Sequence, residues 1–169
     1  MNDKKINRSF EQYKRMVKFT GSAVIVLLEL AIYYYVWMNY YNKNMTVAFW
    51  RRGNWLIAGE YLALSLVLHR LYGGLKVGIY KYWTLVYSHM ISIVGVNAFS
   101  YVQVVLFDKK MHNPAALLAL TAADFVLVLI WALAFKKLYA VLFPKRKLLL
   151  VYGRTPMFHL VNRIDTRDD

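Results

Sequence analysis

The chain has 169 residues, 59% of them hydrophobic and 18% charged, with 22 Lys and Arg against 9 Asp and Glu and a formal net charge of +13. Water-soluble domains average about 45–50% apolar and about 25% charged, so this composition argues against a disordered chain. It also argues against a nucleic-acid binder, whose basic residues would cover a soluble surface. The absence of Cys removes disulfides, thiolate metal sites and cysteine nucleophiles. An apolar chain with basic flanks is the pattern of a membrane protein, and the 14 Tyr and 5 Trp suit its interfaces.

Residues 1–18 form a polar, basic tail carrying Lys4, Lys5, Arg8, Lys14, Arg15 and Lys18. From Phe19 to Asn42 the only charge is Glu29, and at about 1.5 Å per residue this run spans the roughly 30 Å of hydrocarbon. It is too long for a signal peptide and lacks a small-residue cleavage site, so a retained helix is expected. A second run, 54–72, contains Glu60 and closes on Arg70, which can snorkel. A third, 82–107, has no Asp, Glu, Lys or Arg, and a fourth, 114–143, starts at Pro114 and carries Asp124 and then Lys136 and Lys137. Short connections make sequential helices antiparallel neighbours. The expectation is an all-α membrane protein with a four-helix transmembrane bundle over 19–143.

Charge sets the expected orientation. The tail, the second-to-third connection (Arg70, Lys76, Lys81) and the segment from Lys136 onward hold 17 of the 22 Lys and Arg. The other two connections hold Lys43, Arg51, Arg52, Lys109 and Lys110. By the positive-inside rule both termini face the cytoplasm. Lys14, Arg15, Lys18, Arg70, Lys76, Lys81, Lys136 and Lys137 are then interface cations beside anionic headgroups.

Residues 144–169 read as the first strand (147–152), a turn at Gly153 and a helix opening at Thr155-Pro156, the start of an α/β domain that is truncated here or, less favoured, completed by a partner. A single glycine lacks the G-x-G-x-x-G pattern of a dinucleotide site.

Glu29 and Asp124 fall near the expected midplane and Glu60 nearer the outer end, so all three should face protein or a polar cavity. The bland reading is packing between helices; the functional one is a site for a headgroup or a proton. On the third helix His89, Ser92, Val96, Ser100 and Gln103 share a face with Asn97 at its edge, and His89 could pair with a carboxylate from a neighbour. Ser88, Ser92 and Gly95 offer a small-residue packing strip. Tyr33, Tyr34, Tyr35, Trp37, Tyr40 and Tyr41 read as an interfacial aromatic belt. No catalytic constellation and no metal site is expected, because His69, His89, His112 and His159 are scattered along the sequence.

The chain resembles the N-terminal half of bacterial polyprenyl-phosphate sugar-1-phosphate transferases. The residues that carry the likeness are Phe49-Trp50-Arg51-Arg52-Gly53-Asn54-Trp55, Leu71-Tyr72-Gly73-Gly74-Leu75-Lys76-Val77-Gly78, Tyr87-Ser88 with Asn97, Trp131 with Lys137-Leu138-Tyr139, and Lys147-Leu148-Leu149-Leu150-Val151-Tyr152-Gly153. The resemblance implies four transmembrane helices, a Rossmann-like cytoplasmic domain and a later catalytic domain. That last domain moves a sugar phosphate from a nucleotide sugar to undecaprenyl phosphate, with Mg²⁺, in exopolysaccharide biosynthesis. It implies further that this chain alone is inactive and holds no cofactor. Its partners would be anionic and polyprenyl-phosphate lipids, the missing C-terminal domains and a second copy in a homo-oligomer, with no nucleic acid. A small membrane accessory or scaffold protein of polysaccharide assembly remains an alternative, as does a transporter subunit using Glu29, Glu60 and Asp124.

Overall fold

The structure is a computed structural model that describes residues 2–78 and 80–143. Four long helices account for most of it. Helix α1 covers Asn2–Val36 and continues through a π-helical turn, Trp37–Tyr41, into a last turn, Asn42–Asn44. Helices α2 (Arg51–Tyr72), α3 (Tyr82–Asp108) and α4 (Ala115–Leu142) follow. The described residues contain no strand. The strand and helix expected over 144–169 lie outside them.

The expected helices are present, with one difference of extent. The basic tail is not separate from the first helix but is its beginning, with α1 already helical from Asn2. The tail has no Pro and no Gly before Gly21, and nothing in it stops a helix from running out of the apolar run towards water. At the other end of the bundle, Pro114 sits at the N-cap of α4 and not inside its first turn.

Each helix packs on the next, and α4 returns to pack on α1, which closes the ring. The two ends of the bundle are distinct. At one end Lys18 lies over the Tyr139 ring at 5.6 Å, and the Ser22 hydroxyl donates to the Leu75 carbonyl at 3.0 Å. At the other the Thr46 amide donates to Asp108 Oδ1 at 2.7 Å, and Lys110 reaches the Thr46 hydroxyl. Lys14, Arg15, Lys18, Arg70, Lys76, Lys81, Lys136 and Lys137 all belong to the first end.

Two apolar layers fill the centre. One gathers Ile25, Val86, Ile93, Val128, Trp131 and Phe135. The other gathers Tyr33, Trp37, Tyr41, Ile57, Tyr61 and Leu120. The aromatic belt expected at the end of α1 is therefore corrected in part. Tyr33, Trp37 and Tyr41 recur every fourth residue and share the inner face, where Tyr33 stacks on Tyr61 at 3.8 Å and the Trp37 indole N–H donates to Asn54 Oδ1 at 2.9 Å. Tyr35 faces outward, 69% exposed, as a belt residue should. The π-helical turn adds one residue to the register. Asn42 is thereby turned inward, and its side-chain oxygen accepts from the Phe49 amide at 2.7 Å.

The outer surface is as apolar as the core. Leu27, Ile91, Val102, Val126, Ile130 and Leu133 are all at least half exposed. Water would penalise such a surface over several helices, whereas hydrocarbon would not. Three helices, Gln12–Asn44, Tyr82–Asp108 and Ala115–Leu142, are long and apolar enough to cross a membrane. Helix α2 is the exception. Arg51, Arg52, Glu60, His69 and Arg70 lower its apolar content, although its 22 residues give a length of about 33 Å.

Candidate functional site

The bundle carries its polar side chains inside. The most buried group joins three helices. Glu29 of α1, His69 of α2 and His89 of α3 are between 0% and 1% exposed. His69 Nε2 lies 3.5 Å from Glu29 Oε2, and His89 Nδ1 lies 3.4 Å from Glu29 Oε1. The two imidazoles approach most closely, with His69 Nε2 and His89 Nδ1 2.9 Å apart.

The outward nitrogens of both rings are fixed by backbone carbonyls. His69 Nδ1 lies 2.8 Å from the Ser65 carbonyl oxygen, and the Ser65 hydroxyl is 3.2 Å from the same nitrogen. His89 Nε2 lies 3.0 Å from the Gly74 carbonyl oxygen. A carbonyl can only accept, so each of these nitrogens carries a proton, and in a neutral ring that proton is the only one. The inward nitrogens, His69 Nε2 and His89 Nδ1, are then lone pairs aimed at each other and at Glu29.

Local sequence explains how these groups reach one another. His69 sits in the last turn of α2, which ends at Gly73 in the left-handed region (φ 82°). That reversal, cheap only for glycine, folds Gly74 back under the helix end. A Cβ on Gly74 would stand 2.8 Å from His69 Cδ2 and 3.5 Å from His89 Nε2. The Gly73-Gly74 pair thus lets a backbone carbonyl lie against two imidazoles. Trp131 of α4 closes the fourth side, its ring centroid 5.6 Å from that of His89.

A second polar group lies in the same interior. The Asn97 amide donates to Asp124 Oδ2 at 3.2 Å and to the Thr121 hydroxyl at 3.1 Å, and its carbonyl accepts from the Tyr61 hydroxyl at 3.1 Å. One Asn thereby ties α3 to both α2 and α4. Asn97, at the edge of the expected polar face, is 1% exposed. Glu60 is separate, half-buried, and accepts a hydrogen bond from Gln103 of α3.

Of the five intramembrane candidates, the structure brings Glu29 together with His89, and Asn97 together with Asp124. Glu60 joins neither group. The expected pairing of His89 with a carboxylate is found, and its partner is Glu29. His69 was not among the candidates, because Arg70 beside it reads as the interface. One signal for it was available: it follows Tyr61 and Ser65 at four-residue spacing, on the stripe that the helix buries. The absence of a metal site was expected from the scatter of histidines in the sequence, and that ground fails. Two histidines from different helices and a glutamate place candidate ligand atoms within 4.8 Å of one another.

Outside the core, an apolar groove of about 570 Å³ runs between α1 and α4, lined by Tyr13, Met16, Thr20, Trp131, Leu138 and neighbours. It belongs to the basic end. Lys14 stands over the Phe143 ring at 5.3 Å, and Lys18 over Tyr139. In comparisons with known proteins, no family model, no curated protein and no solved structure matches the chain.

Proposed function

We propose that this chain is the membrane region of a polyprenyl-phosphate sugar-1-phosphate transferase of the bacterial cell membrane. All four helices cross the bilayer in this reading, with both termini and the basic end in the cytoplasm. Helix α2 can cross despite its charges. Arg51, Arg52 and Arg70 sit at its two ends, where long cationic side chains reach the headgroups. Its Asn54, Ser65 and His69 are buried in the bundle and away from lipid. The bundle positions the enzyme beside its lipid acceptor, and no residue of this chain takes part in the transfer step.

The observation that carries this reading is the α1–α4 groove. Its lining is mostly apolar, and Lys14 and Lys18 lie on α1 among the residues that line it. A hydrocarbon chain suits such a groove, and a lipid phosphate suits the cations beside it. The quoted sequence motifs support the same assignment. Deleting the encoding gene should remove sugar-phosphate transfer from a nucleotide sugar to undecaprenyl phosphate in isolated membranes, and re-expression should restore it. Unchanged transfer in the deletion membranes contradicts the reading.

A further inference from the structure

We infer that Glu29, His69 and His89 form a binding site for a divalent first-row transition metal ion, which ties α1, α2 and α3 together inside the bundle. The inference stands on the geometry of the three residues and does not depend on the transferase reading.

The argument starts from proton placement. The Ser65 and Gly74 carbonyls hold the outward N–H of each ring. That is how metal-binding histidines are oriented: the second ring nitrogen donates to a carbonyl, which fixes the tautomer and presents the bare nitrogen to the ion. Two bare nitrogens 2.9 Å apart repel unless something positive lies between or beside them.

A shared proton would answer only part of the problem. It would bridge the two nitrogens and offset the carboxylate's charge, but it would give Glu29 Oε1 no hydrogen bond. Glu29 Oε1 has no hydrogen-bond donor among the described residues. The contacts of 3.4 and 3.5 Å from Glu29 to the rings are longer than charge-assisted hydrogen bonds, at about 2.7–2.9 Å. They do match the distances between neighbouring ligands of one ion. With metal–ligand bonds of about 2.0–2.1 Å, ligand atoms are about 2.9 Å apart at right angles and about 3.4 Å apart at tetrahedral angles. An ion displaced from the line between the nitrogens towards Glu29 would meet all three side chains.

Charge points the same way. Glu29 is a deeply buried carboxylate, and among the described residues its ion-pair partners are these two histidines alone. With both rings neutral, the negative charge is unbalanced in a medium that penalises it. A divalent ion supplies positive charge at the carboxylate and takes the cluster from −1 to +1. Imidazole and carboxylate ligands suit Zn²⁺, Fe²⁺, Ni²⁺ and Cu²⁺.

The test uses the full chain carrying no His tag, purified in detergent, stripped with chelator and returned to Zn²⁺ or Cu²⁺. After desalting, close to one Zn²⁺ per chain should remain. The Glu29→Gln and His89→Asn variants should lose it, and Ser65→Ala, which keeps the backbone carbonyl, should not. A second measurement removes dependence on variants that fail to fold. The chain has four His, so a His112→Asn/His159→Asn variant keeps only His69 and His89. Its Cu²⁺ electron paramagnetic resonance spectrum should show coupling to two imidazole nitrogens. No retained Zn²⁺ in the stripped and reloaded wild-type chain would overturn the inference. So would a Cu²⁺ spectrum of that variant without two-nitrogen coupling.

Discussion

His69 Nε2 and His89 Nδ1 face each other at 2.9 Å from two different helices, while the second nitrogen of each ring is held by a backbone carbonyl. The pair is therefore a preset element of the bundle. Its rings cannot turn away from each other without breaking a buried hydrogen bond, and Glu29 lies against both.

Removing one member should be worse than removing all three. A His69→Leu variant takes one of its two partners from the buried Glu29 carboxylate, and breaking a buried pair in this way costs about 3–5 kcal/mol. A Glu29→Leu/His69→Leu/His89→Leu variant leaves no such group, and its thermal unfolding in detergent should lie closer to the wild type. The comparison is a set of melting curves recorded without added metal. A triple variant markedly less stable than the single one would show that these residues do not act as a unit.

Gly74 should tolerate no side chain. A Cβ there presses on His69 Cδ2 at 2.8 Å, and both groups are buried, so Gly74→Ala must move a helix end or a ring. Overpacking of this kind costs about 1–3 kcal/mol. Displacement of the carbonyl that orients His89 should also weaken Zn²⁺ retention by about 10–100-fold. Isothermal titration on the variant checks the second effect separately from the melting curve.

Asn97 should be the costliest polar residue of the α3–α4 interface. Replacement by Leu strands the Tyr61 hydroxyl and Asp124 Oδ2 together, and each unsatisfied buried group costs about 1–3 kcal/mol. Thr121→Val removes one bond from the edge of the same network and should cost less, since the Asn97 amide keeps Asp124. Chemical unfolding of the two variants side by side gives the order.

Much of the helical arrangement is legible in the sequence, because long apolar runs are separated by clustered charges and, at Gly73-Gly74, by a turn. The polar core is less so. Glu29 and Asp124 announce themselves as carboxylates inside apolar runs, but depth along a straight helix does not say which neighbour each will meet. Glu29 meets α2 and α3, and Asp124 meets Asn97, because rotation of each helix about its axis is set by packing across the bundle. His69 is hidden by its neighbour Arg70, whose charge marks a boundary one residue too early. The burial of Tyr33, Trp37 and Tyr41 follows from their helical spacing, yet their position near a membrane surface suggests a belt. The π-helical turn at Trp37–Tyr41 leaves no sequence signature, and it is what turns Asn42 inward towards Phe49.

Gly21 should test the α1–α4 contact. A Cβ at this position would overlap the Phe135 ring, so Gly21→Leu should force the two helices apart beside the groove and lower stability by about 1–3 kcal/mol. A Phe135→Ala change in the same chain makes room and should recover part of the loss, seen as a coupling between the two substitutions in melting temperature.

The account rests on α2 crossing the bilayer together with the three more apolar helices, so that the connections at its two ends lie on opposite sides. The chain has no Cys, so single cysteines can be placed without background. In intact cells a membrane-impermeant maleimide should label Thr46→Cys and Lys110→Cys, and should label Lys76→Cys and Lys137→Cys only after the membrane is opened. Labelling of Thr46→Cys and Lys76→Cys from the same side would contradict the four-helix crossing.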